Sequence, residues 1–444
     1  MLKRLISNKF NMDRKIRILV ITYLPWRDDN SIGNSYSNIF KDTDKEKYEF
    51  AHIYIRDGMP QNKLCHEYYH ISEKALMKRF LGKKVPVGRY FHVEKCEDQP
   101  KDQFSNLYNK ARILRWQIFF FFRDMLGYSK AWKTKEFDNF LDEFNPDLVF
   151  GTLPTAPLIY RLMTYVKHKK NIPLITYPWD DYYSLRHFNF SPVFWIRRGM
   201  IRGYLRKTAA ESEYMYVITN LMQDEYREIF KKDCRLLFKG HEFDESRVVN
   251  TTIHAPINIV YMGNIGGGRW KTLAVLAKAV KVVNEKFGTT QMTLNVYTLS
   301  PKDNEIIRAL NIPGCSRLND SVPNDKVNET MDDADILVHA EPYARKDYQF
   351  YRASFSTKLV DYFSRAKAIL SIGGMTASTD YLIRNDATIY VQKENIVAKL
   401  QEIAENPGIL QEYAQKSWNC GVRNHQIKDI QERMYNDFKT LLSR

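Results

Sequence analysis

Ile257-Asn258-Ile259-Val260-Tyr261-Met262-Gly263-Asn264-Ile265-Gly266-Gly267-Gly268-Arg269-Trp270-Lys271 is the stretch on which the fold turns. Its first six residues read as a buried parallel strand, because a sheet covered on both faces calls for a short, largely apolar, β-branched run. A glycine cluster then leads into a helix near Lys271 to Lys286. At such a junction glycine lets backbone N–H groups approach an oxyanion, and the helix N-terminus adds positive potential. Gly263 and Asn264 would line that anion, with Arg269 or Lys271 to neutralise it. No GxGxxG frame carries a ribose-binding acid at the expected distance and no Walker Lys-Ser/Thr follows, so neither nucleotide fingerprint applies. The same residues also read as a flexible loop with a solvated arginine.

The rhythm continues on both sides. Downstream, Met292 to Tyr297, Ile336 to Val338 and Ala368 to Ile372 read as strands, and a helix starts at Ser356. Upstream, Ile16 to Thr22, Phe50 to Ile55, Leu148 to Gly151, Leu174 to Tyr177 and Met215 to Thr219 read as strands between helical or polar stretches. Alternating strands and helices are the pattern of a doubly wound α/β sheet. At roughly 100 to 200 residues per domain, the 444 residues parse most simply as two Rossmann-like domains. The expected boundaries are an N-terminal domain over 1–240, a linker over 241–256, a second domain over 257–425, and a C-terminal helix over 426–444 that returns to the first domain.

Hydrophobic residues make up 44% and charged residues 27% of the chain, which sets aside disorder, collagen and disulfide scaffolds. The five cysteines form no CxxC pair and the ten histidines no HxH pair, and no tightly held metal is expected. Neither a signal-peptide core nor a run of roughly 18 apolar residues is present, which predicts a cytoplasmic protein. The net charge of +15 is uneven: residues 1–240 carry 42 Lys+Arg against 28 Asp+Glu, and residues 241–444 carry 25 against 24. A basic half suggests an anionic surface or substrate.

Two stretches concentrate that charge. Arg112 to Arg123 mixes a phenylalanine run with flanking arginines, and reads as a core helix or a membrane-surface helix. From Tyr182 to Ala210 there is no acid, and Arg197, Arg198, Arg202 and Arg206 read as the basic face of an amphipathic helix on anionic lipid.

A second constellation lies at His339-Ala340-Glu341-Pro342-Tyr343 and Ser354-Phe355-Ser356-Thr357-Lys358-Leu359-Val360-Asp361. Ser356 and Thr357 are good N-cap residues, and a capped helix start with Lys358 in its first turn can hold phosphate. Asp361, one turn on, can accept hydrogen bonds from ribose hydroxyls. An ordinary capped amphipathic helix is the plainer reading.

Together these motifs resemble the nucleotide-sugar half of GT-B glycosyltransferases, particularly the retaining family 4 type of bacterial polysaccharide biosynthesis. The resemblance implies two Rossmann-like domains facing each other across a cleft. It places Arg269, six residues after Gly263, at the donor diphosphate, and Glu341 at the first acid of a Glu, seven residues, Glu pattern. The second acid is missing at strict spacing, where Gln349 stands, and Asp361 is its replacement. Gly33, in Ser31-Ile32-Gly33-Asn34, matches a glycine loop beside the donor phosphates. Tyr177-Pro178-Trp179-Asp180-Asp181-Tyr182 falls where relatives place residues near the acceptor, so Asp180 and Asp181 join Glu341 as catalytic candidates; either also reads as a helix N-cap.

The resemblance implies a metal-independent glycosyltransferase with no cofactor beyond a UDP- or GDP-linked sugar. Its partners would be a lipid-linked saccharide acceptor and the anionic inner face of the membrane, not nucleic acid. The rival readings are a GT-B-fold UDP-sugar epimerase and a non-catalytic, basic nucleic-acid-binding protein.

Overall fold

The computed structural model describes residues 14–28, 31–93, 117–250 and 252–444. It divides into two units, one of Met1–Phe238 with Ile430–Arg444 and one of Lys239–Asp429.

In the first unit, strands β1 (Ile16–Ile21), β2 (Tyr48–Tyr54), β3 (Glu67–Ile71), β4 (Gly88–His92), β5 (Leu148–Thr152), β6 (Leu174–Tyr177), β7 (Tyr214–Val217) and β8 (Cys234–Leu236) form one sheet. Its order is β4-β3-β2-β1-β5-β6-β7-β8, and every pairing is parallel except β3 with β4. Helices α1 (Ser31–Ile39), α2 (Glu73–Phe80), α3 (Gln117–Leu126), α4 (Lys135–Phe144), α5 (Pro157–Lys170), α6 (Pro192–Glu211) and α7 (Asn220–Phe230) connect the strands. Ser72, Thr134 and Thr219 cap α2, α4 and α7, each side chain accepting a backbone N–H three residues on.

The second unit holds β9 (Ile257–Met262), β10 (Met292–Thr298), β11 (Ser316–Asp320), β12 (Ile336–Ala340), β13 (Ala368–Ile372) and β14 (Ile389–Val391), in the all-parallel order β11-β10-β9-β12-β13-β14. The helices that matter below are α8 (Arg269–Phe287), α9 (Arg345–Tyr351) and α10 (Lys358–Ser364). The last helix, α11 (Ile427–Leu442), packs its C-terminal part into the first unit: Tyr435 stacks on Tyr48 at 4.1 Å and Asp437 accepts from Tyr216 at 2.7 Å.

One device fixes the register of both sheets. Asp147, just before β5, accepts the backbone N–H of Arg17 in β1 at 2.8 Å. Asp335, just before β12, does the same for Asn258 in β9 at 2.7 Å. Each buried carboxylate thus ties its strand to the central first strand of its unit, and charge-assisted hydrogen bonds of this kind are the strong ones.

The strands read from sequence are present within a few residues. β3, β4, β8, β11 and β14 are additional, and they are short or sit at sheet edges where polar residues such as those of Ser316–Asp320 are tolerated. The stretch expected as a linker, 241–256, belongs to the second unit, where Phe243 packs edge-on against Trp418 at 5.2 Å. Arg112, Arg115 and Trp116 of the aromatic-basic stretch lie outside the described residues.

Candidate functional site

β9 lies between β10 and β12, so the connections leaving β9 and β12 run to opposite sides of the sheet. A crevice opens outside the strand carboxyl ends at such a point. Gly263 follows β9 and Glu341 follows β12, so the two sequence motifs meet there.

Gly263 has a φ of 136°. That conformation favours glycine, and a Cβ there would in addition push on Lys358 Nζ, 2.6 Å away. Lys358 comes from α10, donates to Met262 O at 2.9 Å, and lies 4.6 Å from the centre of the Tyr261 ring. Burial, reinforced by the charge of Arg269, brings its pKa down to about 8. Gly268 caps α8 in the left-handed conformation, which starts the helix at Arg269. Arg269 Nη2 donates to both oxygens of Glu341, at 3.2 and 3.0 Å, while its guanidinium lies 3.8 Å from the centre of the Tyr351 ring. The ring and the carboxylate hold one geometry of the arginine.

The Glu341 side chain is only 4% exposed. Burial pushes its carboxyl up, against the opposing pull of Arg269 and Lys358. His339 beside it is kept neutral, its pKa lowered to about 3 by burial and then by Lys358 and Arg269. Two cations thus share one buried carboxylate behind a glycine turn that also has Asp347 Oδ2 beside Gly268, and the two cations suit a diphosphate.

The other expected donor residues divide. Asn264 holds the loop, its Oδ1 accepting from Gly266 N and Ser300 Oγ at 2.6 and 3.0 Å. Lys271 is exposed beside Trp270 and is not drawn into the Arg269–Glu341 group. Ser356 and Thr357 do not cap α10 through their side chains. Thr357 already has helical φ and ψ of −58° and −21°, whereas side-chain capping requires an extended residue. Asp361, expected at a ribose, instead accepts from Lys239 Nζ at 2.6 Å. Lys239 and Tyr351 were not singled out by sequence, because each partner lies on a different element; only the proximity of Tyr351 to the Glu341 motif hinted at it.

The first unit has the same arrangement at its own crossover, between β1 and β5. A cavity of about 200 Å³ opens at the strand carboxyl ends, lined by Thr22, Arg56, Arg123, Thr155, Trp179 and Asp180. Asp180 reaches it and accepts from Tyr182 OH at 3.1 Å. Asp181 does not line it, which corrects the expectation of two paired catalytic carboxylates. Its Oδ1 accepts from Tyr183 N, Ser184 N and Tyr226 OH at 3.1, 2.9 and 3.2 Å, so it builds the loop that presents Asp180.

No family model and no curated protein matches the chain. Solved structures do. Sucrose-phosphate synthase from Thermosynechococcus elongatus superposes with a TM-score of 0.60 at 8% identity, covering 97% of this chain and 100% of that one. S. aureus TarM, solved with fondaparinux, alpha-GlcNAc-glycerol and UDP, gives 0.58 at 12% identity over 97% and 100%. WaaG, a glycosyltransferase involved in lipopolysaccharide biosynthesis, gives 0.54 at 10% identity over 94% and 98%. The chain has the GT-B fold.

Within this GT-B chain, Gly33 has a packing role. It is the third residue of α1, and a Cβ there would lie 2.0 Å from Arg27 O, so the missing side chain lets helix and loop approach. Of the four arginines expected on a membrane-facing surface of α6, Arg198 is buried, Arg197 and Arg202 are partly buried, and Arg206 is exposed, so they do not form one outward basic face. Arg197 pairs with Asp124 at 2.8 Å, and Arg198 is buried, donating to Ser184 O and Asp181 O. Arg202 donates to Tyr183 O and lies 4.1 Å over its ring, and Arg206 donates to Tyr183 OH. Carbonyls and the Tyr183 side chain thus receive Arg198, Arg202 and Arg206, while Arg197 has an acid from another helix.

Proposed function

We propose that the protein is a metal-independent, retaining glycosyltransferase. It moves a sugar from a UDP- or GDP-linked donor, held by the second unit, to a lipid-linked or glycan acceptor bound at the Asp180 cavity, in cell-surface polysaccharide assembly. The observation that carries this reading is the convergence of Gly263, Arg269 and Lys358 at the carboxyl ends of β9 and β12. The UDP in the TarM structure is consistent with it. As the bond from sugar to diphosphate breaks, charge grows on the leaving phosphate oxygens. Arg269 and Lys358 are already in place to stabilise it, which costs no reorganisation at the moment of reaction. Glu341 acts through Arg269, so it is a positioning residue. Asp180 orients the acceptor hydroxyl.

The test is a panel of UDP- and GDP-linked sugars, with chelator present and nucleoside diphosphate release followed. One donor should be consumed in the presence of a glycan or polyprenyl-linked acceptor, and its anomeric configuration should be kept in the product. Consumption of none, or conversion of the donor to its epimer without transfer, would overturn the reading.

The reading includes peripheral attachment to the inner face of an anionic membrane. No helix among the described residues is long and apolar enough to cross one. The surface that suits attachment is apolar with a basic rim. Phe80 and Leu81 at the end of α2 are exposed and followed by Lys83 and Lys84; Phe122 is exposed on α3, which packs between α2 and α6; Phe188 and Phe190 are exposed just before α6, Phe190 to 92%. Changing Phe188 and Phe190 to serine should lower partitioning onto phosphatidylglycerol vesicles about tenfold per ring. Sedimentation with vesicles measures this, and an unchanged bound fraction would remove this surface from the proposal.

A further inference from the structure

The positive charge that α6 does not use internally gathers elsewhere in the first unit. A groove of about 580 Å³, within the range of small-molecule sites, is lined by Lys133, Arg161, His168, Lys169 and Lys207 with no carboxylate in its wall. Lys169 and His168 are paired at its edge, with Asp138 at 2.7 Å and Glu211 at 3.1 Å. Lys133, Arg161 and Lys207 have no carboxylate partner among the described residues. Arg161 is held instead by the carbonyls of Gly127 and Ser129, and Lys133 by the face of the Tyr165 ring, 4.4 Å from its centre. Arg161 and Lys133 are therefore held at one concavity and Lys207 is exposed beside them; Asp138, paired with Lys169, also feels the charge of Lys133.

Trp132, Tyr165 and Tyr204 complete the wall. Trp132 is 1% exposed, and its indole Nε1 has no hydrogen-bond partner among the described residues. A buried donor left without a partner is costly.

The groove is not the Asp180 cavity. That cavity lies at the carboxyl end of β5 and includes Ala156, just before α5; the groove begins at Arg161 and is centred near Tyr165. At 1.5 Å per residue, α5 separates them by roughly 14 Å.

We infer that this groove is a second saccharide site, which binds an anionic glycan segment, with carboxylate or phosphodiester groups on Lys133, Arg161 and Lys207. A glycan fits better than nucleic acid. Lys133 covers one face of Tyr165 and Trp132 packs edge-on against it at 5.2 Å, so no open ring face is presented for a base to stack on. The hydroxyl of Thr164 suits sugar hydroxyls. Binding here needs no transfer reaction, so it stands apart from the activity proposed above. For an enzyme extending an acidic polymer, the groove would hold units of the chain about 14 Å from the reacting end.

The test titrates the full chain with four probes at physiological salt: hexagalacturonate, a glycerol phosphate hexamer, maltohexaose and a single-stranded DNA hexamer. Binding of either anionic oligomer more tightly than both maltohexaose and DNA is expected, and which of the two binds names the source of the charge. Lys207→Gln, at an exposed position, should weaken that binding about tenfold, and Lys133→Gln with Lys207→Gln further. UDP affinity and melting temperature serve as controls and should not move in Lys207→Gln. Failure of both anionic oligomers to bind, tighter binding of DNA, or equal affinity in Lys207→Gln would each overturn the inference.

Discussion

Replacing Arg269 by alanine is expected to abolish measurable UDP binding and to destabilise the second unit by about 3 to 5 kcal/mol. Two effects combine. The diphosphate loses a cation held in place by the Tyr351 ring and Glu341, and Glu341 is left as a buried carboxylate without its partner. An uncompensated buried charge costs far more than an exposed salt bridge contributes. The variant carrying Arg269→Ala with Glu341→Gln should therefore recover much of the stability, because a neutral amide replaces the stranded charge, but none of the UDP binding. The penalty in the single variant should also grow as pH rises through the carboxylate range, since a carboxyl raised in the folded state disfavours folding once the unfolded chain has lost its proton. Urea unfolding and calorimetry read both effects. Equal stability of the single and double variants would mean that the pair does not organise the site.

The second large effect concerns Lys358, whose pKa of about 8 puts its proton within reach of ordinary buffers. A diphosphate prefers the charged ammonium, so binding must raise this pKa and take up a proton wherever the free lysine is neutral. UDP affinity should thus be level from neutrality to about pH 8 and then fall, approaching tenfold per pH unit. Lys358→Met should lower the neutral-pH affinity by about 10- to 100-fold, the loss of one charge-assisted hydrogen bond, and should flatten the alkaline fall. Calorimetry in buffers of different ionisation enthalpy reports the proton uptake. A methionine variant that kept the wild-type pH dependence would assign the titration to another group.

The strand Ile257–Met262 and the glycines after it are legible because their signals are local: a β-branched run, then residues needed for backbone conformations such as the φ of 136° at Gly263. Arg269 and Glu341 were both visible as candidates, yet their pairing was not, because it joins residues 72 apart through the order of β9 and β12. The same holds for Asp361, whose partner Lys239 lies 122 residues away. The arginines of α6 misled for a different reason. A stretch without acids reads as a basic outer face, but Arg197 finds Asp124 on a different helix, and carbonyls and the Tyr183 ring accept Arg198 and Arg202, partners that leave no mark in the local sequence. Asp180 and Asp181 are adjacent and chemically identical; only the turn decides which reaches the cavity.

Nucleotide recognition by the second unit is the claim on which the rest depends, and its most direct measurement is a calorimetric titration of the full chain. UDP, GDP and a single-stranded DNA oligomer are compared at physiological salt. The predicted result is that one nucleoside diphosphate binds at a single site more tightly than the DNA, with that binding lost in Arg269→Ala combined with Glu341→Gln. Binding of DNA alone, or nucleotide binding that survives in that double variant, would contradict it.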